Sequence, residues 1–137
     1  MKKAYPTIMT PVDGAILVEV PDLGILTEGT DILNAIEMAR DAIGIKGISM
    51  QDHGDEIPEP GEMGSVEVSK GTFAEEGEGF VTMVDIDFDA YRRRADEKMV
   101  RRNVTLPRWL DREAKEAHLN VSGVLQEALK AILGVTG

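Results

Sequence analysis

The sequence has no cysteine, two histidines and one tryptophan in 137 residues. Without cysteine there is no disulfide and no thiolate metal site, which suits a reducing compartment. His53 and His118 are too few for a histidine-rich metal centre. No apolar run approaches the roughly 20 residues that span a bilayer. The segment Met1-Lys2-Lys3-Ala4-Tyr5-Pro6 is basic but lacks the apolar core of a secretion signal. No glycine-rich phosphate loop or nucleophile constellation is present, and no cofactor is implied. These absences lead to the expectation of a cytoplasmic globular protein with no membrane partner. Its 42% apolar and 29% charged residues are ordinary for that class, and the length allows one domain or two small ones.

The net charge of −10 is unevenly spread. Residues 1–90 hold 5 Lys and Arg against 19 Asp and Glu, a net of −14; residues 91–137 hold 10 against 6, a net of +4. Such a split suits a basic partner for the first part and a polyanion for the second, or simply a well-solvated acidic half.

The pattern of residues 1–88 predicts an α+β domain with one sheet face under a helix. Tyr5–Pro11 and Gly14–Pro21 read as strands, with Ile16, Val18 and Val20 alternating against Leu17 and Glu19. Asp13-Gly14 between them is a hairpin signal. A short strand at Ile25–Thr27 precedes a helix capped by Thr30 or Asp31. That helix carries Ile32, Leu33, Ala35, Ile36, Ala39, Ala42 and Ile43 and runs to Gly44, with a short second helix over Ile45–Gln51. Asp52–Gly64 reads as a loop, Val66 and Val68 as a weak strand or extended connection, and the acidic Gly71–Gly79 stretch as mobile. Phe80–Ile86 is the clearest late strand. Residues 89–98 form a helical connector, and residues 99–137 a second domain.

In that second domain Val100–Leu106 reads as a strand. A period of 2 puts Val104 and Leu106 on one face and Arg101, Asn103 and Thr105 on the other. Pro107 opens a helix to His118, with Leu110, Ala114 and Ala117 inward and Trp109 nearby, more suited to packing than to base stacking. Asn120 or Ser122 caps a further helix carrying Val124, Leu125, Ala128, Leu129, Ile132 and Leu133, and Gly134 stops it. One strand and two helices cannot enclose a core. A symmetric homodimer solves this, with paired strands over four helices and a core of Val104, Leu106, Leu110, Leu125 and Leu129. A two-stranded ribbon fits the major groove of DNA, where Arg suits guanine, Asn suits adenine and Thr suits either. Asn120, Val121 and Ser122 then hold a phosphate at a helix N-terminus. The alternative is a plain packing tail with a solvated polar face.

The run Arg101-Arg102-Asn103-Val104-Thr105-Leu106-Pro107, then Trp109-Leu110, then Val121 through Leu129, resembles the ribbon-helix-helix family. With Tyr5-Pro6, Pro21-Asp22-Leu23, Thr27-Glu28-Gly29, Ile36 through Ala42, Asp55 through Pro60 and Asp85-Ile86-Asp87 before Tyr91, the whole chain resembles HicB-type antitoxins. One departure is Gly24 directly after Leu23, where the family usually has Pro-Gly. The resemblance implies a partial RNase H-like N-terminal domain without a working nuclease site, which covers a small basic mRNA-cleaving toxin of the HicA type. It implies a C-terminal ribbon-helix-helix domain that represses the operon by binding operator DNA as a homodimer, with a tetramer of two dimers left open.

Three features keep more than one reading. Asp85, Asp87 and Asp89 alternate, so a strand lines them up as solvated edge protection, as a docking surface for toxin cations (Asp85 and Asp87), or as magnesium ligands. Tyr91-Arg92-Arg93-Arg94 with Lys98 suits DNA phosphates or a solvated connector. His118 suits a turn cap or the helix dipole, without a catalytic partner. The non-enzymatic antitoxin reading therefore stands beside a metal-dependent nuclease with a DNA-binding tail and a ligand-responsive repressor without a toxin partner.

Overall fold

Strand β1 (Lys2–Val12) runs through the middle of a sheet even though it contains Pro6 and Pro11. Its ladders explain how. It pairs with β4 (Phe80–Asp87) over Lys2–Met9 and with β2 (Ala15–Val20) over Ile8–Val12. Each proline therefore sits where only one side of the strand is laddered, so neither removes a central hydrogen bond. The two-residue Asp13-Gly14 turn closes the β1–β2 hairpin, with Gly14 at φ 79 as its positive-φ residue. Strand β3 (Ile25–Gly29) pairs with β2, giving a fully antiparallel sheet in the order β3-β2-β1-β4. The computed structural model describes residues 1–96 and 99–135, in two units, Met1–Glu97 and Lys98–Gly137.

Helix α1 (Ile32–Asp52) covers one face of the sheet. Asp31 caps it by accepting the Asn34 N–H at 2.8 Å, and Asn34 Oδ1 accepts the Thr30 N–H at 2.9 Å. The buried positions Ala35, Ala39, Ile43 and Gly47 recur every four residues, and the first three pack on Tyr5, Met9, Val18, Val20, Val84 and Ile86. Ile32 and Leu33 are exposed at the first turn.

The two helices expected on either side of Gly44 are one. Gly44 and Gly47 are not breaks but docking notches for helix α2 (Phe88–Ala95). A Cβ on Gly44 would stand 2.6 Å from Tyr91 Cδ2, and one on Gly47 2.6 Å from Phe88 Cδ1. Tyr91 donates to Asp41 Oδ1 at 2.7 Å, and burial and that carboxylate push its phenol up to about 12. Arg92 is held by Gln51 Oε1 at 3.0 Å and by Asp52 at 3.1 Å.

The opposite sheet face is covered by a segment with little regular structure, in which the Gly71–Gly79 stretch lies against β1. On the α1 face, Tyr5 donates to the Pro58 carbonyl at 2.7 Å where this segment begins, and its buried phenol is pushed up to about 12, by desolvation first and then by Glu59 and Asp22. Asp22 accepts the Gly61 N–H at 2.9 Å, and Glu19 accepts the Thr72 N–H and hydroxyl at 2.8 and 2.7 Å. Gly77 and Gly79 lie so close to Pro11 and Thr10 that a Cβ on either would stand within 3 Å of β1. Val68 belongs to a short 3₁₀ turn, Val68–Lys70, rather than to a strand.

In the second unit helix α3 (Arg108–Glu116) and helix α4 (Val121–Leu133) form where the periodicity predicts them. His118 turns the chain between them at φ 55, and Gly134 ends α4 in a left-handed conformation. The expected strand Val100–Leu106 is not formed in the single chain. A strand needs a ladder, and the sheet of the described residues contains β1–β4 alone. No helix among the described residues is long and apolar enough to cross a membrane.

Candidate functional site

The second unit exposes thirteen large apolar side chains and buries none of its described residues. Val104 is 51% exposed, Leu106 37%, Leu125 37%, Leu129 47% and Ile132 81%. Leu110 and Trp109 are exposed as well. Val104, Leu106, Leu110, Leu125 and Leu129 are the side chains the sequence assigns to a dimer core. Two open grooves gather most of them. Val104 and Leu106 line one of 640 Å³ with Arg108, Asp111 and Val121. Leu125 and Leu129 line another of 770 Å³ with Met99–Arg102 and Ser122. Leu110 lines neither. Arg101, Asn103 and Thr105 are exposed, as are the apolar residues that alternate with them, so neither face is covered in the single chain.

The start of α4 is built by Asn120, whose Oδ1 accepts the Gly123 N–H at 3.2 Å. A Cβ on Gly123 would stand 3.0 Å from Asn120 Nδ2, so the cap fits because that position has no side chain. The first helical bond runs from Val124 N–H to the Asn120 carbonyl at 3.0 Å. The Val121 and Ser122 N–H groups precede it and open outward, as at any helix N-terminus. Asn120 thus spends its side-chain oxygen on the helix.

The three aspartates around β4 do not form a row. Asp85 Oδ1 accepts from Arg40 Nη2 at 2.8 Å, and Arg40 Nε donates to the Asp85 carbonyl at 3.0 Å. The bond from the Arg40 guanidinium, and then its charge, hold the Asp85 carboxyl below the ordinary carboxylate value. Asp87 ends the strand because its Oδ1 accepts the Asp89 and Ala90 N–H groups at 3.1 and 3.2 Å and caps α2. Those bonds, chiefly that of Ala90, lower its pKa as well. Asp89 therefore lies in α2, where it pairs with the amino terminus of Met1. Among the described residues, no three His, Asp or Glu side chains gather in a way that could hold a metal ion. Asp85 stays accessible to a partner, while Asp87 is occupied by the helix cap.

A family model described as HicB_like antitoxin of bacterial toxin-antitoxin system matches residues 5–129. The chain belongs to this family. The HicB-like antitoxin fold is also visible in solved structures. The chain is similar over 96% of its length to a chain of the toxin-antitoxin complex from Streptococcus pneumoniae, with 99% of that chain covered, a TM-score of 0.61 and 24% identity. It is similar over 96% of its length to the Burkholderia pseudomallei antitoxin HicB, with 97% of that chain covered, a TM-score of 0.52 and 24% identity. At that identity the likeness is one of fold. No curated protein matches.

Sequence reasoning missed two features of this HicB-like antitoxin. Arg40 wraps the β4 edge and takes up Asp85, a pairing across 45 residues that no local pattern announces. Tyr5 on the α1 face, and Asp22 and Glu19 beyond it, hold the chain at residues 58, 61 and 72. The only local hint was Glu19 standing on the polar side of an alternating strand, where a solvated carboxylate is the ordinary reading.

Proposed function

We propose that this antitoxin binds and neutralises a small basic mRNA-cleaving toxin of the HicA type, and represses its own operon by binding operator DNA as a homodimer. In this reading the first unit is a partial RNase H-like domain without nuclease activity. The second is a ribbon-helix-helix domain, whose strand Val100–Leu106 forms when a second copy supplies its ladder. The observation that carries the proposal is that no described residue of the second unit is buried, despite its many large apolar side chains. A segment of this size does not hold a fold alone and needs a second copy. Once two strands pair, Arg101, Asn103 and Thr105 project together toward base edges, while Val104 and Leu106 turn toward the helices. Val121, Ser122 and the Asn120 amide then meet a backbone phosphate. The net charge of −14 over residues 1–90 supports the toxin half, since an acidic surface competes for the cations that a nuclease uses on RNA. Asp85, accessible and held ionised by Arg40, is the docking residue with the best geometry.

The toxin half is tested by co-purification with the product of the adjacent reading frame. The expected result is a stable complex in which RNA cleavage by the partner stops. RNA cleavage by the antitoxin itself with magnesium, lost in Asp85→Asn, would sink the proposal in favour of a nuclease. The DNA half is tested by gel-shift titration. Arg101→Ala, Asn103→Ala and Thr105→Ala should each weaken binding to the DNA upstream of the gene, by about 1–3 kcal/mol where a bidentate bond to a base is removed. Unchanged affinity in all three rejects the ribbon.

A further inference from the structure

Three consecutive arginines end helix α2, and the structure gives them different duties. Arg92 faces α1 and is taken by Gln51 and Asp52. Arg93 and Arg94 point to solvent, and neither makes an ion pair among the described residues. The helix that carries them is not loose: Phe88 and Tyr91 seat it in the Gly47 and Gly44 notches, and Asp87 caps its start. Two solvent-facing arginines therefore extend from a seated helix on a unit whose first 90 residues carry a net −14. The helix dipole accounts for cations in a last turn but does not require two more beside Arg92. Lys98, the fourth cation of this stretch, lies outside the described residues.

Covalent reach limits what these groups can meet. Arg94 is seven residues from Arg101. Seven residues span at most about 25 Å. The major groove that a ribbon enters is about 12 Å wide and bordered by phosphates on both sides. An acidic unit tethered there is repelled by the duplex unless cations stand on the side that meets it.

We propose that Arg93 and Arg94 form a second, sequence-independent DNA contact, gripping backbone phosphates beside the segment that reads the operator. The proposal rests on the operator-binding reading above and extends the DNA interface from the second unit into the first. The chemistry is that of guanidinium on phosphate, which adds affinity and salt dependence without adding sequence preference.

The test uses the full chain and two duplexes of equal length, one from upstream of its own gene and one of scrambled sequence. Binding is followed by fluorescence anisotropy across a salt series. The Arg93→Ala/Arg94→Ala double variant should weaken binding to both duplexes by the same factor. It should also flatten the plot of log affinity against log salt by about 0.9 for each phosphate that is no longer neutralised. Arg93→Lys/Arg94→Lys should restore the slope. Arg101→Ala, by contrast, should weaken binding mainly to the upstream duplex. An unchanged slope in the double alanine variant overturns the proposal, and so does a lowered melting temperature with no change of slope, since that outcome assigns the pair to helix stability. If the unmodified chain does not prefer the upstream duplex over the scrambled one, the operator reading itself fails; the slope then reports phosphate binding alone.

Discussion

Replacing Phe88 with alanine will lower the unfolding free energy of the first unit by about 3–5 kcal/mol, the usual cost of emptying a buried phenylalanine site. Phe88 is 1% exposed and belongs to the same buried cluster as Tyr5, Val84 and Ile43. Its ring lies over Gly47, where no side chain competes for the space. Little can collapse into the void, because the facing helix offers only glycine there. At 4–8 °C per kcal/mol for a domain of this size, the melting temperature should fall by at least about 12 °C. Tyrosine absorbance is the appropriate signal, since both tyrosines, Tyr5 and Tyr91, lie in the first unit. The companion variant Gly47→Ala gives a test of sign. Alanine normally gains about 1 kcal/mol over glycine inside a helix. Here the added methyl meets the Phe88 ring at 2.6 Å or less, and overpacking of this kind costs about 1–3 kcal/mol. A Gly47→Ala protein as stable as the original, or more so, would show that α2 is not docked on α1 through this notch.

That notch also shows where local pattern stops being informative. Hydrophobic alternation in β2, the Asp13-Gly14 turn, the Asp31 cap and the extent of α4 from Asn120 to Gly134 are legible because each depends on residues a few positions apart. Gly44 reads as a helix end for the same reason: a glycine inside a helical pattern ordinarily costs stability. What calls for a glycine there is an aromatic ring from 47 positions away along the chain, which fills the space a side chain would take. The Gly71–Gly79 stretch misleads in the same manner. Its glycines and acids look like a solvated loop, but the glycines are small so that the chain can lie against Thr10 and Pro11. The Asp85, Asp87 and Asp89 alternation suggests one strand face. The Asp87 carboxylate overrides it by capping a helix two residues before the pattern ends. In the second unit the residue pattern is clear, but the contacts it calls for are not available within a single chain. Val100–Leu106 alternates as a strand should, and its ladder must come from elsewhere.

The proposed dimer therefore carries the second large effect. Leu106→Asp should abolish dimerisation, and with it all preference for the upstream DNA. In the proposed arrangement Leu106 turns from the paired strands toward the helices, so an aspartate there is an uncompensated buried charge, costing about 3–5 kcal/mol. An isologous interface contains each substitution twice. The two copies together cost about 6–10 kcal/mol, which raises the dimer dissociation constant by roughly four to seven orders of magnitude. Sedimentation velocity at micromolar concentration then shows a monomer in place of a dimer. The fluorescence of Trp109, the only tryptophan and 60% exposed in the single chain, loses whatever protection the dimer confers. Capture of the toxin provides the control. The features that support toxin docking, Asp85 with Arg40 and the acidic surface, lie within residues 1–90, so the monomeric variant should still co-purify with its partner. A Leu106→Asp protein that remains dimeric would place the interface between copies elsewhere than in residues 99–135. The apolar side chains left exposed there would then need a different cover.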